Sequence, residues 1–122
     1  AGAMAMASIH YSYDQYRQFG RAPGSRLDDI WDEYTAMLED YDPERIHQRV
    51  HAGHNCWVLP EEERFVTPEL IDATCIVGTA DQIIDRLVEL DERGLDQLMI
   101  LPNFDPRFEV LEKIGQEIIP NL

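Results

Sequence analysis

Basic residues are scarce in this chain of 122. Ten Lys and Arg stand against 24 Asp and Glu, a formal net charge of −14 with the histidines neutral. Such a balance excludes a nucleic-acid backbone or an anionic membrane surface as partner, because both are held by clustered positive charge. No apolar run approaches the roughly 20 residues that a membrane-spanning helix needs. Cysteine is limited to Cys56 and Cys75, which form no CxxC pattern and are expected as reduced, half-buried thiols in a cytoplasmic protein. Internal repeats and low-complexity segments are absent. So are a GxGxxG fingerprint, a phosphate-binding P-loop and a serine-nucleophile motif. An initiator methionine is missing as well: the chain opens Ala1-Gly2-Ala3-Met4. The expectation is an internal start within a longer protein, with a tag-derived origin for residues 1–8 as the alternative.

What is present suits one globular domain, since 44% of residues are hydrophobic and 28% charged, ordinary proportions for a chain able to bury a core. The clearest pattern lies in residues 79–122. Thr79 is a good N-cap with Gln82 three residues on, a capping box. Ile83, Ile84, Leu87, Val88 and Leu90 then recur at helical spacing. Gly94 stands where a helix ends in a left-handed residue. Residues 97–101 follow as a short apolar run closed by Pro102, the signature of a buried strand. Asp105 and Pro106 then open a last helix, with Phe108, Leu111, Ile114 and Ile118 on its inner face. Helix, turn, strand, loop and helix in that order predict an α/β fold.

Further helices are expected earlier in the chain. The first covers residues 4–19, with Tyr13 and Tyr16 on one face. A second starts at a Ser25 cap and carries Leu27, Ile30, Trp31, Tyr34, Met37, Leu38 and Tyr41 as a wide apolar stripe. A third opens at Asp42-Pro43, with Ile46 and Val50 inward and Gly53 ending or kinking it. Residues 55–59 suit a short strand or an extended link, residues 60–64 a polar loop, and Thr67-Pro68 starts a fourth, short helix. A single strand cannot satisfy its backbone groups or cover both of its faces. Neighbouring strands must therefore come from another chain or from the remainder of a larger barrel. That need, together with the aromatic stripe of Trp31, Tyr34 and Tyr41, predicts a homo-oligomer or a piece docked on the rest of its domain.

Two groups of residues are candidates for chemistry. His47, His51 and His54 stand at i, i+4 and i+7, and imidazoles four apart on a helix can share a zinc ion. Gly53 interrupts that helix where the third ligand would be aimed, and no acidic residue stands between them as a base. The expectation is therefore a polar helix face beside a ligand, with no metal. Pro102, Asn103 and Phe104 follow the carboxyl end of the expected strand, the end that carries the active site in α/β barrels.

Three stretches resemble a known family: Thr67-Pro68-Glu69-Leu70-Ile71; Val77-Gly78-Thr79 with the helix after it; and Arg93-Gly94-Leu95-Asp96 with the apolar run to Pro102. Their cadence is similar to the C-terminal end of the luciferase-like monooxygenases, flavin- or deazaflavin (F420)-dependent oxidoreductases built on a (β/α)8 barrel. The likeness spans residues 67–122 and is looser over residues 3–59. Residues 45–60 also resemble members related to methylene-tetrahydromethanopterin reductase. The resemblance implies that residues 1–122 are a single partial domain, the helix-rich last third of a TIM barrel with its one strand at 97–101. It implies FMN or F420 in the intact parent and no cofactor on this piece alone, because the family's cofactor contacts come mostly from earlier strands. No catalytic residue carries over. His51, His54, Asn55, Pro102, Asn103 and Phe104 are left as the expected rim of a substrate or cofactor pocket. The alternative is a small helical module that associates with itself and binds no cofactor.

Overall fold

The computed structural model describes residues 1–21, 23, 24, 26–102 and 105–122, with Arg26 described by its backbone alone. Its elements are helical. In order they are α1 (Gly2–Phe19), α2 (Arg26–Leu38), α3 (Ile46–Val50), a 3-10 turn (Pro60–Phe65), α4 (Pro68–Thr74), α5 (Ala80–Glu92) and α6 (Arg107–Lys113). The last of these runs on through a π turn (Ile114–Ile118) and a 3-10 turn (Ile119–Asn121). No strand is present among the described residues, which corrects the expected α/β fold. Residues 97–101 are irregular and Met99 is 91% exposed. The apolar run predicted burial, but a strand exists only with a hydrogen-bonded neighbour, and nothing among the described residues pairs with it.

The core forms around α1. Ala5, Met6, Ile9, Tyr13 and Tyr16 fall on one face of that helix and are buried. From α2 the chain adds Leu27, Tyr34 and Leu38, and from later elements Val50, Phe65 and Leu70. Aromatic rings fill the centre. Trp31 lies 5.9 Å from Tyr13 and 5.3 Å from Tyr16, and Tyr34 lies 5.8 Å from Tyr13 and 5.5 Å from Phe65, offset and edge-on geometries that rings favour. Within the chain, the aromatic stripe of α2 packs with Tyr34 buried and with Trp31 and Tyr41 partly buried against the core.

Local signals in the sequence translate well in places. Thr67 accepts a hydrogen bond from the Leu70 amide at the start of α4. At α5, Thr79 and Gln82 complete their capping box. Gly94 takes φ +94°. Its amide reaches the Asp91 carbonyl at 2.8 Å, and that of Leu95 reaches the Leu90 carbonyl at 3.0 Å, the paired bonds of a Schellman ending. Elsewhere the boundaries move. α3 begins at Ile46 rather than at Pro43, because the Asp42 carboxylate accepts from the Glu44 amide at 3.0 Å and holds a local turn there. Residues 55–59 contain no strand, and residues 60–64, expected as a loop, are 3-10 turn. α6 begins after Pro106, and Phe108 and Leu111 point outward, 82% and 44% exposed. Cys56 is exposed and Cys75 half-buried, both as free thiols. Ser25, the expected cap of α2, lies outside the described residues.

Candidate functional site

Three elements meet on the side of α1 next to the core. α1 contributes His10, which sits in the buried face between Met6 and Tyr13, and Asp14 one turn on. α3 ends at Val50, and the turns after it deliver His51 and His54. The 3-10 turn contributes Glu62, whose side chain is 1% exposed although the turn around it is acidic and wet. Arg49 and Tyr41 explain that orientation. Arg49 pairs with the Glu61 carboxylate, stands 4.7 Å above the Tyr41 ring, and donates to the Tyr41 hydroxyl at 3.2 Å. The Tyr41 hydroxyl itself donates to Glu61 at 2.5 Å. With Glu61 clamped outward, its neighbour Glu62 turns in.

The turn that presents His51 and His54 depends on Gly53. Its φ is +75°, and a Cβ placed there would lie 2.6 Å from the Trp57 carbonyl oxygen and 2.6 Å from its indole nitrogen. A side chain meets both the wrong backbone region and a collision. The Trp57 amide closes the turn onto the Gly53 carbonyl at 2.9 Å.

The resulting contacts are short and directional. His10 Nε2 lies 2.9 Å from Glu62 Oε1, and His51 Nε2 lies 2.6 Å from Asp14 Oδ2. His10 Nδ1 is 3.2 Å from His54 Nδ1, and His51 Nδ1 is 3.3 Å from the same atom. One nitrogen from each of the three rings lies within 4.8 Å of the others. Behind them, the Tyr34 hydroxyl donates to Glu62 Oε1 at 3.4 Å, and Glu62 Oε2 has no partner among the described residues. Burial raises the Tyr34 hydroxyl above the ordinary tyrosine range, and the Glu62 charge pushes the same way. His54 is held below the usual histidine range, first by burial and then by the neighbouring His10 and His51.

The expected pocket residues divide. His51 and His54 come together, but with His10 in place of His47, which is exposed and outside the cluster. Asn55 and Pro102 meet elsewhere, around a small cavity of about 180 Å³ that Met4, Cys56, Leu101 and Arg107 also line. Asn103 and Phe104 lie outside the described residues. A larger groove of about 570 Å³ runs between the start of α1, residues 75–78, α5, residues 98–102 and α6. Its described lining, including Met4, Val77, Leu87, Leu98 and Val110, contains no charged side chain. It does not fit an anionic flavin-type cofactor, whose phosphate needs a cation or a cluster of amides.

Helical spacing could not reveal His10, Asp14, Tyr34 or Glu62 as one site, because their meeting depends on tertiary packing. A signal was there all the same. His10 is a titratable residue in an otherwise apolar helix face, and burying one requires a polar partner from elsewhere.

Comparison with known proteins finds similarity to 5,10-methylenetetrahydromethanopterin reductase of Archaeoglobus fulgidus, 40% identical over 58 residues. The match takes in 47% of this chain and 18% of the length of that protein. No family model and no solved structure matches.

Proposed function

We propose that this chain is part of a larger flavin- or F420-dependent oxidoreductase, in which it supplies a docking and pocket-lining segment. The observation that carries the proposal is the 40% identity with a methylenetetrahydromethanopterin reductase, in line with the resemblance of residues 67–122 to the luciferase-like oxidoreductases. The apolar groove supports it physically. Leu98, Met99, Ile100 and Leu101 leave 42%, 91%, 45% and 66% of their surface to solvent, too much contiguous apolar area for a finished surface. In the parent, this face is covered by the rest of the domain, which also holds the cofactor's phosphate. The chain's own contribution is apolar: it excludes water from the neighbourhood of the cofactor and helps to orient it.

The test is a titration of the complete parent protein with FMN and with F420, followed by visible absorbance and fluorescence. Saturable binding of one of them at one per chain is expected. A parent that binds neither ends the proposal. A second reading rests on the same exposed face: a second copy of the chain covers it, giving a self-associating helical module without a cofactor. Light scattering of the 122-residue chain at high micromolar concentration separates the two, since a stable dimer indifferent to both cofactors belongs to the second reading alone.

A further inference from the structure

The geometry points to a metal site, independent of the oxidoreductase proposal: we infer that His10, His51 and His54 bind one divalent transition-metal ion, zinc first among them, through their Nδ1 atoms.

Protonation follows from the outer partners. A carboxylate only accepts. Glu62 therefore fixes a hydrogen on His10 Nε2, and Asp14 fixes one on His51 Nε2. In their neutral forms both rings then present a bare lone pair at Nδ1. Those two lone pairs converge on a third nitrogen, His54 Nδ1, at 3.2 and 3.3 Å. His54 Nδ1 has a single in-plane position, filled by a lone pair or by a hydrogen. Without a cation, the best arrangement is one N–H shared weakly between two acceptors. A metal ion at the centre takes all three lone pairs.

Distance and charge agree with that assignment. Zinc–nitrogen bonds of about 2.0–2.1 Å in a tetrahedron set ligand nitrogens about 3.3–3.4 Å apart, close to the 3.2 and 3.3 Å that separate His54 Nδ1 from the other two rings. Histidine ligands bound to metals characteristically donate their other N–H to a carboxylate, which fixes the ring and raises its basicity, and two of the three do so here. The ion also accounts for Glu62. A carboxylate this deeply buried needs a nearby positive charge, and a divalent cation between Glu62 and Asp14 leaves the group neutral as a whole. Three protein ligands leave a fourth corner for water or a small ligand, the arrangement of reactive rather than purely structural zinc sites.

Calorimetric titration of the chelator-treated 122-residue chain with Zn²⁺ tests this, with Co²⁺ as an optical probe of geometry. Expected are one ion per chain, the intense visible bands of four-coordinate Co²⁺, and a rise in melting temperature on zinc addition. Asp14→Asn should weaken binding about 10–100-fold. His51→Ala and His54→Ala should weaken it further and lose the Co²⁺ bands. His47→Ala should bind as the unaltered chain does. Since His10 is a core residue, the half-buried His51 and His54 carry the test, and circular dichroism verifies that those variants keep their helices. Absence of stoichiometric uptake by the folded chain overturns the inference, as does uptake that survives His54→Ala or falls equally in His47→Ala.

Discussion

Helices α1 and α5 differ in a way that their sequences reverse. α5 has the better local signals, with a complete capping box at its start, a Schellman ending at Gly94 and a clean apolar stripe. α1 has no side-chain cap, and its apolar residues are interrupted by histidine and tyrosine. Yet α1 buries six residues and α5 buries none. The contrast extends to the regions around them. Residues 1–75 contain the whole of the core cluster, whereas Ile118 is the one buried residue described in residues 76–122. Caps and amphipathic spacing make a helix, but burial also requires a facing surface. α1 has α2 and α4 against it, while α5 rests on the π turn of the last helix and turns its stripe to an open groove. Helix strength and helix burial are separate properties.

Large-to-small substitutions test that contrast most severely. Leu27→Ala, at a fully buried position, should cost about 2–5 kcal/mol in urea denaturation of the 122-residue chain. If it costs less than 1 kcal/mol, on the order of an ordinary surface change, the core has been wrongly placed in the first region.

Glu62→Ala comes next. It leaves His10 Nε2 and the Tyr34 hydroxyl buried without their acceptor, at about 1–3 kcal/mol. An unchanged denaturation midpoint would mean that Glu62 is solvated and that the site lies open.

Thr79→Ala removes the α5 cap and should cost about 1 kcal/mol of local helix stability. The sharper readout is amide hydrogen exchange. α5 should exchange faster in the variant while α1 does not respond, because the two belong to different cooperative units. Equal acceleration in both helices would show that the chain folds as one unit. Met99→Ser should change stability by no more than about 0.5 kcal/mol in the isolated chain, while improving its solubility.

The smallest effect concerns an exposed pair in the first region. Arg21 bonds Asp28 and, with the Gly24 amide, holds that carboxyl below the usual aspartate range. A carboxyl with a lowered pKa stabilises the folded state above its unfolded value of about 3.9, and that contribution is lost as pH falls through the folded value. Asp28→Asn should therefore lower stability slightly at neutral pH, leave it unchanged in strong acid, and so flatten the acid limb of the stability curve. A steeper acid limb would contradict this.

Much of the helical framework was legible. The α1 and α2 periodicities, the Thr67 and Thr79 caps and the Gly94 ending are all local, set by residues within a turn or two of each other. The strand at 97–101 was not, because an apolar run specifies dryness rather than conformation. Two residues of the candidate site, His51 and His54, were legible too. The helical spacing that pointed to His51 and His54 named His47 as their companion, but α3 is a short helix that ends before Gly53, and the real companion is 41 positions before His51.

By itself, then, the sequence determined the helices, their ends and the acidic, cation-poor surface, since propensity, capping and charge act over a few residues. Only the tertiary structure decided which helix became the core, that residues 97–101 stay irregular, and that His10, His51 and His54 converge between two carboxylates. Those outcomes turn on surfaces facing one another across tens of residues, and no local spacing encodes such a meeting.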